Sequence, residues 1–269
     1  MKHSMPQNYY SRLWRAISEF DLIAAGDKIL VGLSGGKDSV FLTYALALVR
    51  QNSPRPFELA AVNLDPKFAA DFDPAPLAAF CADLGVPFHT LEADIAGAIA
   101  RGGGKDPCYV CSFFRRAIIN KFAVQNGFNK IAYAHHHDDA VETFVMGLLW
   151  TGQLKTFQPK THLDRTGLDV IRPLVYFREK EIRAARKLHG FTPLPSPCPL
   201  DGKTKRQEIK EMIRSWEKTN KHVFRHLAVA MREGAATELW PAAPTRAELQ
   251  RRHQAFWCQE AAEKAPADD

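Results

Sequence analysis

Ser34-Gly35-Gly36-Lys37-Asp38-Ser39 follows the apolar run Lys28 to Leu33 and precedes an apolar-periodic run from Val40 to Val49. Strand, glycine turn and helix start form a context that binds phosphate. Two glycines let the backbone approach an anion closely, and the helix start offers unpaired N–H groups and a positive dipole end. Lys37 adds a point charge, while Ser34 and Ser39 add hydroxyl donors. The G-x-x-x-x-G-K-[ST] spacing is absent, so this is not a Walker loop. The plainer alternative is a Gly-Gly turn with a solvated Lys37 and Asp38.

On both sides of this loop the chain alternates between strand and helix patterns. Tyr10 to Phe20 reads as an amphipathic helix before a Gly26-Asp27 turn. Further strands are expected at Leu59–Leu64, Pro87–Leu91, Lys130–Ala134 and near Val170-Ile171. Helices are expected at Pro76–Leu84, Cys111–Asn126 and from the histidine run to Leu149. Repeated βα units with short connections predict an α/β fold, with a mostly parallel sheet covered by helices on both faces. Ligands of such sheets sit at the carboxyl ends of the strands. SGGKDS, Asn63-Leu64-Asp65 and His135 to Asp139 all fall at predicted strand ends, so three separate polar motifs are expected to share one crevice.

After about residue 175 the character changes to charged helices, Glu179–His189 and Thr204–Asn220, around the proline-rich loop Phe191–Pro199. The expected division is an N-terminal helical segment (1–27), the phosphate-binding α/β domain (28–175), a helical extension carrying Cys198 (176–236) and a C-terminal tail (237–269). Ala262 to Asp269 is expected to fray. The 269 residues contain 46% hydrophobic residues, enough for a sizeable core. There is no apolar run of membrane-spanning length and no signal-type apolar region at the N-terminus. A cytoplasmic protein without membrane contact is expected, with a homodimer as candidate assembly. The formal net charge of +6 is compatible with a polyanionic partner.

Five cysteines without a secretion signal favour metal or redox chemistry over a disulfide framework. Cys108 and Cys111 form a C-x-x-C pair at a helix start, where the dipole lowers thiol pKa values. By itself the pair fits half a zinc site, a redox pair, part of an iron–sulfur site, or nothing. Cys198, in Pro197-Cys198-Pro199, sits where a core cysteine is not expected. Cys81 reads as core packing and Cys258 as a bystander. His135-His136-His137-Asp138-Asp139 combines a helix cap, expected at Asp138 or Asp139, with carboxylates that suit Mg²⁺ beside a phosphate loop. Adjacent histidines point in different directions and make a poor zinc cage. Arg115 and Arg116 beside Cys111, and Lys203, Lys205, Arg206 and Lys210 after Cys198, surround the cysteines with positive charge where nucleic acid could dock.

SGGKDS after a strand looks like the PP-loop of ATP pyrophosphatases. Several stretches resemble, in order, the tRNA 2-thiocytidine synthetases of the TtcA type. They are Leu33 to Val40, Ala61 to Asp65, the Cys108/Cys111 pair before Phe-Phe-Arg-Arg, His135 to Thr143, Ile171 to Leu174 with Arg178 to Lys180, and Pro197-Cys198. The similarity runs from about Arg12 to about Arg232. Many family members carry another cysteine three residues after the Pro-Cys. Here that position is Asp201, a speculative extra ligand, and the residue before the histidines, commonly Gly, is Ala134.

The resemblance implies a Rossmann-like PP-loop (adenine nucleotide α-hydrolase) fold. It also implies ATP-dependent thiolation of a tRNA cytidine at C2, at position 32 of the anticodon loop. ATP and Mg²⁺ would bind at Ser34, Gly35, Gly36, Lys37, Asp38, Ser39, Asn63, Asp65 and His135, with Asp38 and Asp139 facing the metal. Cys108, Cys111 and Cys198 would hold a [4Fe-4S] cluster with one open iron, and these three and Asp38 would be the catalytic set. The C2 oxygen attacks the α-phosphate, pyrophosphate leaves, and sulfur supplied by a cysteine desulfurase replaces the adenylated oxygen. The competing readings are a PP-loop ligase of lysidine-synthetase or amidotransferase kind, and a nucleotide-binding RNA module with structural zinc.

Overall fold

The computed structural model describes residues 3–69, 72–102, 106–195, 198, 200, 202, 204–232 and 244–263. In chain order the elements are α1 (Gln7–Glu19), β1 (Lys28–Gly32), α2 (Lys37–Asn52), β2 (Glu58–Asp65), α3 (Ala75–Asp83) and β3 (Phe88–Glu92). Then come α4 (Ile95–Arg101), α5 (Pro107–Gln125), β4 (Lys130–Ala132), α6 (His137–Met146) and a π-helical turn (Gly147–Thr151). After these lie β5 (Lys160–Leu163), β6 (Leu168–Ile171), α7 (Glu179–His189), α8 (Lys205–Thr219), α9 (Val223–Ala230) and α10 (Arg246–Glu263). Residues 1–231 form one compact unit, and residues 232–269 form a second that contains α10.

The six strands run in the order β3-β2-β1-β4-β6-β5. Every pairing is parallel except β5 with β6, and Val31 of β1 sits in register with Ala61 of β2 and Ala132 of β4. The sheet is therefore mostly parallel with helices on both faces, as the strand–helix alternation predicts. Its order reverses at β1, because the chain leaves this strand toward β2 while β4 lies on the other side. A crevice must open there at the carboxyl ends, since the connections diverge to opposite faces.

One face packs α1, α2, α3 and α7 into a core around Phe41, Tyr44 and Phe177; the other packs α4 and α5 over Leu30, Val62, Ile119 and Ile131. Helix α2 is buried from Ser39 to Val49 because it lies between the sheet and α7. A smaller cluster, Val141, Val145, Ile209, Ile213 and Phe224, joins α6 to α8 and α9.

Several elements escaped the sequence pattern. Strand β5 carries a single large apolar residue, Leu163, and pairs antiparallel at the sheet edge. Helix α4 is only two turns long and is capped by Asp94, which accepts from the Gly97 N–H over 2.8 Å. Helix α9 packs Phe224 into the small cluster. Within the expected tail, α10 starts at a reciprocal cap: Glu248 accepts from the Thr245 N–H and Thr245 Oγ1 accepts from the Glu248 N–H. Ala262, where fraying is expected to begin, is still helical, and residues 264–269 lie outside the described residues. No described helix is long and apolar enough to cross a membrane.

Candidate active site

The SGGKDS turn joins β1 to α2 at the topological switch. Gly35 has φ +83°, a left-handed conformation that a side chain resists, and Gly36 is the N-cap of α2. No side chain caps that helix, so its first N–H groups remain available for an anion. Ser39 braces the turn, accepting from the Ser34 N–H at 3.1 Å and donating to the Gly36 carbonyl at 3.0 Å.

Lys37 does not reach into open space. Its Nζ lies 2.9 Å from Asp38 Oδ2 and 3.2 Å from Glu179 Oε1. Glu179 opens α7, is only 7% exposed, and also meets Arg183, Lys210 (2.7 Å) and Arg214. Burial alone would push its carboxyl up, but Lys210 and Lys37 overcome that and hold it at about 2. Glu179 thus ties the phosphate-loop lysine to α7 and α8. Sequence reasoning placed Glu179 in a shared motif but missed this hub, because its four cations come from three separate segments.

The histidine run divides its labour. His136, rather than Asp138 or Asp139, caps α6: its Nδ1 accepts from the Asp139 N–H, and Asp139 Oδ2 accepts from the His136 N–H. The expected aspartate cap is corrected because His136 is the residue with extended backbone ahead of the first helical turn. Asp138 accepts from Arg178 Nε (3.0 Å) and from the Glu179 N–H (2.8 Å), fastening the start of α7. His137 packs its ring edge-on against Phe224. His135 is exposed to the crevice against Phe157, and crowding by surrounding protein atoms pushes its pKa down to about 4 despite Asp139. The ring is therefore neutral at physiological pH. Among the described residues no three His, Cys, Asp or Glu groups close on a single metal ion.

A cavity of about 1210 Å³ occupies the crevice. Ser34, Gly36, Asp38, Ser39, His135 and Asp139 line it. Asn63 and Asp65 are not among its lining residues. Asn63 Nδ2 donates to the Leu33 carbonyl (2.8 Å), steadying the strand that enters the turn, and Asp65 binds Lys67. Asp38 Oδ1 is buried without a hydrogen-bond partner, 3.7 Å from His136 Nε2. An oxygen-seeking cation would satisfy such an acceptor.

Cys108 and Cys111 occupy the first turn of α5, and Ser112 and Phe113 beside them line the cavity. Cys198 and Cys108 both act on the Cys111 thiol as negative neighbours. The helix start does not lower the Cys111 thiol as expected. Burial raises its pKa, outweighing Arg115, which lowers it, while Cys198 and Cys108 add smaller upward pushes. Three thiols outside any disulfide would fit a metal cluster, which would supply the positive charge that thiolates need. Cys81 is a core residue, with its thiol pushed by burial to about 12. Asp201 lies outside the described residues, as does the side chain of Cys258.

A family model described as a PP-loop domain matches residues 7–215. The tRNA-cytidine(32) 2-sulfurtransferase of Stenotrophomonas maltophilia (strain K279a) is 37% identical over 241 residues, covering 88% of this chain and 78% of the relative. That of Dichelobacter nodosus (strain VCS1703A) is 38% identical, covering 84% of this chain and 85% of the relative. The chain belongs to the tRNA-cytidine(32) 2-sulfurtransferase family. Among solved structures, the U34-tRNA thiolase NcsA from Methanococcus maripaludis, with its [4Fe-4S] cluster, superposes with a TM-score of 0.67 at 19% identity. It covers 87% of this chain and 81% of its own. At that identity the match speaks for the fold, which is the PP-loop fold the resemblance implies.

Proposed function

We propose that this family member replaces the C2 oxygen of a tRNA cytidine, at position 32, with sulfur in an ATP-dependent reaction. The observation that supports the reading is that Cys111, which feels both Cys108 and Cys198 electrostatically, directly precedes Ser112 and Phe113 in the lining of the cavity that the phosphate loop also lines. A ligase that delivers nitrogen would leave these thiols idle. The sulfurtransferase relatives also favour thiolation.

In this reading the N–H groups at the start of α2, with Ser34 and Ser39, hold the phosphates, and Lys37 neutralises them. Asp38 and Asp139 would hold Mg²⁺, which would offset charge on the phosphates. The cytidine O2 attacks the α-phosphorus, the bond to the bridging oxygen breaks, and pyrophosphate leaves. Adenylation turns a poor leaving group into AMP. A cluster held by Cys108, Cys111 and Cys198 would supply an open iron that presents sulfur at the sulfide level. Replacement of AMP by that sulfur involves no net oxidation; sulfane sulfur delivered as a persulfide by a donor of the cysteine desulfurase class would first need a two-electron reduction to sulfide by an external reductant such as a low-molecular-weight thiol. The target base has to leave its stack to enter the cavity.

The test measures iron content, nucleotide affinity and tRNA thiolation on the same anaerobically prepared variants. Cys111→Ala and Cys198→Ala should lose iron and thiolation yet still bind ATP. Lys37→Ala should keep iron and form no thiolated nucleoside. Thiolation by Cys111→Ala at the wild-type rate would show the cysteines to be structural and sink the reading.

A further inference from the structure

The cavity has two chemically different walls. One carries the phosphate loop with Asp38 and Asp139. The other gathers Arg116 of α5 and Arg172, just after β6, near Tyr133, just after β4. Neither arginine has a carboxylate at ion-pair distance among the described residues. By contrast, Arg178 pairs with Asp138 and Glu217, and Arg206 lies near Asp139 and Glu142.

An exposed arginine needs no partner, because water screens it. Arg172 differs. Burial, with Arg116 adding to it, pushes its pKa down to about 10. Its Nη1 donates to the Gln158 carbonyl and to Thr161 Oγ1 (3.1 Å), and its guanidinium lies over the Phe157 ring. These contacts orient the group but leave its charge uncompensated. Arg172 Nε and the Tyr133 hydroxyl are both buried without a hydrogen-bond partner. Burial pushes the Tyr133 phenol up to about 12 against the pull of Arg116, Arg115 and Arg172, so it stays protonated and can donate. Two unsatisfied buried donors beside uncompensated guanidinium charge call for an anion rich in acceptor oxygens.

A phosphate answers that description, and it can come from ATP or from RNA. The ATP phosphates have their own cradle at the end of β1. Strands β4 and β6 lie one and two places along the sheet, about 5 and 10 Å away. Phe113, Phe157 and the neutral His135 beside the arginines offer faces for unstacked bases. Resting on the thiolation reading above, we propose that Tyr133, Arg116 and Arg172 form a phosphodiester site. It holds the tRNA backbone next to the target nucleotide, apart from the ATP phosphates.

The experiment measures tRNA affinity against salt concentration, and affinity for a non-hydrolysable ATP analogue, for Arg172→Gln, Arg116→Gln and Tyr133→Phe. Each arginine variant should flatten the log–log salt slope by about 1 and weaken tRNA binding about tenfold at low salt. Tyr133→Phe should weaken binding with the slope unchanged, because it removes a donor and no charge. Analogue affinity should stay within about twofold. Arg172→Lys, which keeps the charge, should keep the slope even if packing suffers. Lost analogue affinity with an unchanged tRNA slope would assign the site to ATP and overturn the proposal, as would unchanged slopes in both arginine variants. Wild-type protein that forms no thiolated nucleoside would instead fail the thiolation reading, whatever the slopes.

Discussion

The backbone N–H of Leu194 donates to the carbonyl of Gly35 over 3.0 Å. Its side chain lies over the same glycine, where a Cβ would come within 3.0 Å of Leu194 Cδ1. Residue 194 belongs to the loop that leads to Cys198. The Gly35 turn and the loop that leads to Cys198 are therefore packed directly together. Glu179 makes a second link through Lys37 on one side and Lys210 of α8 on the other.

Gly35→Ala should lose nucleotide binding while the domain stays folded. The φ of +83° costs a side chain about 1–2 kcal/mol, and the contact with Leu194 adds to it. Gly36→Ala is the control, because φ there is −71° and a Cβ would approach nothing closer than Ser34 Oγ at 3.5 Å. Adding Leu194→Ala to Gly35→Ala should recover only part of the affinity, since the backbone strain remains. Calorimetric titration with an ATP analogue reads all three; full recovery would assign the effect to the clash alone.

Glu179→Gln should destabilise the fold by roughly 3 kcal/mol at pH 7, leaving Lys210 and Lys37 without their shared carboxylate. The sign with pH follows from a depressed acid. The contribution is present above the ordinary glutamate value of 4.5 and is lost as pH falls toward about 2. The gap between wild type and variant in urea unfolding should accordingly narrow from pH 5 to pH 3. A gap that stays constant would mean that packing, and not charge, is what the glutamate supplies.

Asp27→Ala should cost about 3–5 kcal/mol, because Lys130 is left as a buried cation. The two side chains are 6–7% exposed and 2.8 Å apart, with Lys130 Nζ also donating to the Leu22 carbonyl and Asn129 Nδ2 to Asp27. The double variant Asp27→Ala/Lys130→Met should regain much of the loss by removing the orphaned charge. Thermal unfolding of the two variants decides it, and a double variant no more stable than the single one would contradict the argument.

The sequence by itself determined the local chemistry and the sheet. SGGKDS needs only its neighbours to become a strand–turn–helix anion site, and the apolar periods of β1, β2 and β4 were long enough to read. The C-x-x-C pair and the proline-flanked Cys198 announced themselves by residue type. Whatever depends on burial was decided by the tertiary structure. Glu179 looks like any helix-start glutamate until α2, α7 and α8 close around it, and Arg172 and Tyr133 become an anion site only because desolvation strips their water. Edge strand β5 carried too little apolar surface to show a period and is fixed by pairing with β6. Proximity in sequence sets dihedral preferences and caps, which act over a few residues. Desolvation and ion pairing depend on distances that only the packed fold creates.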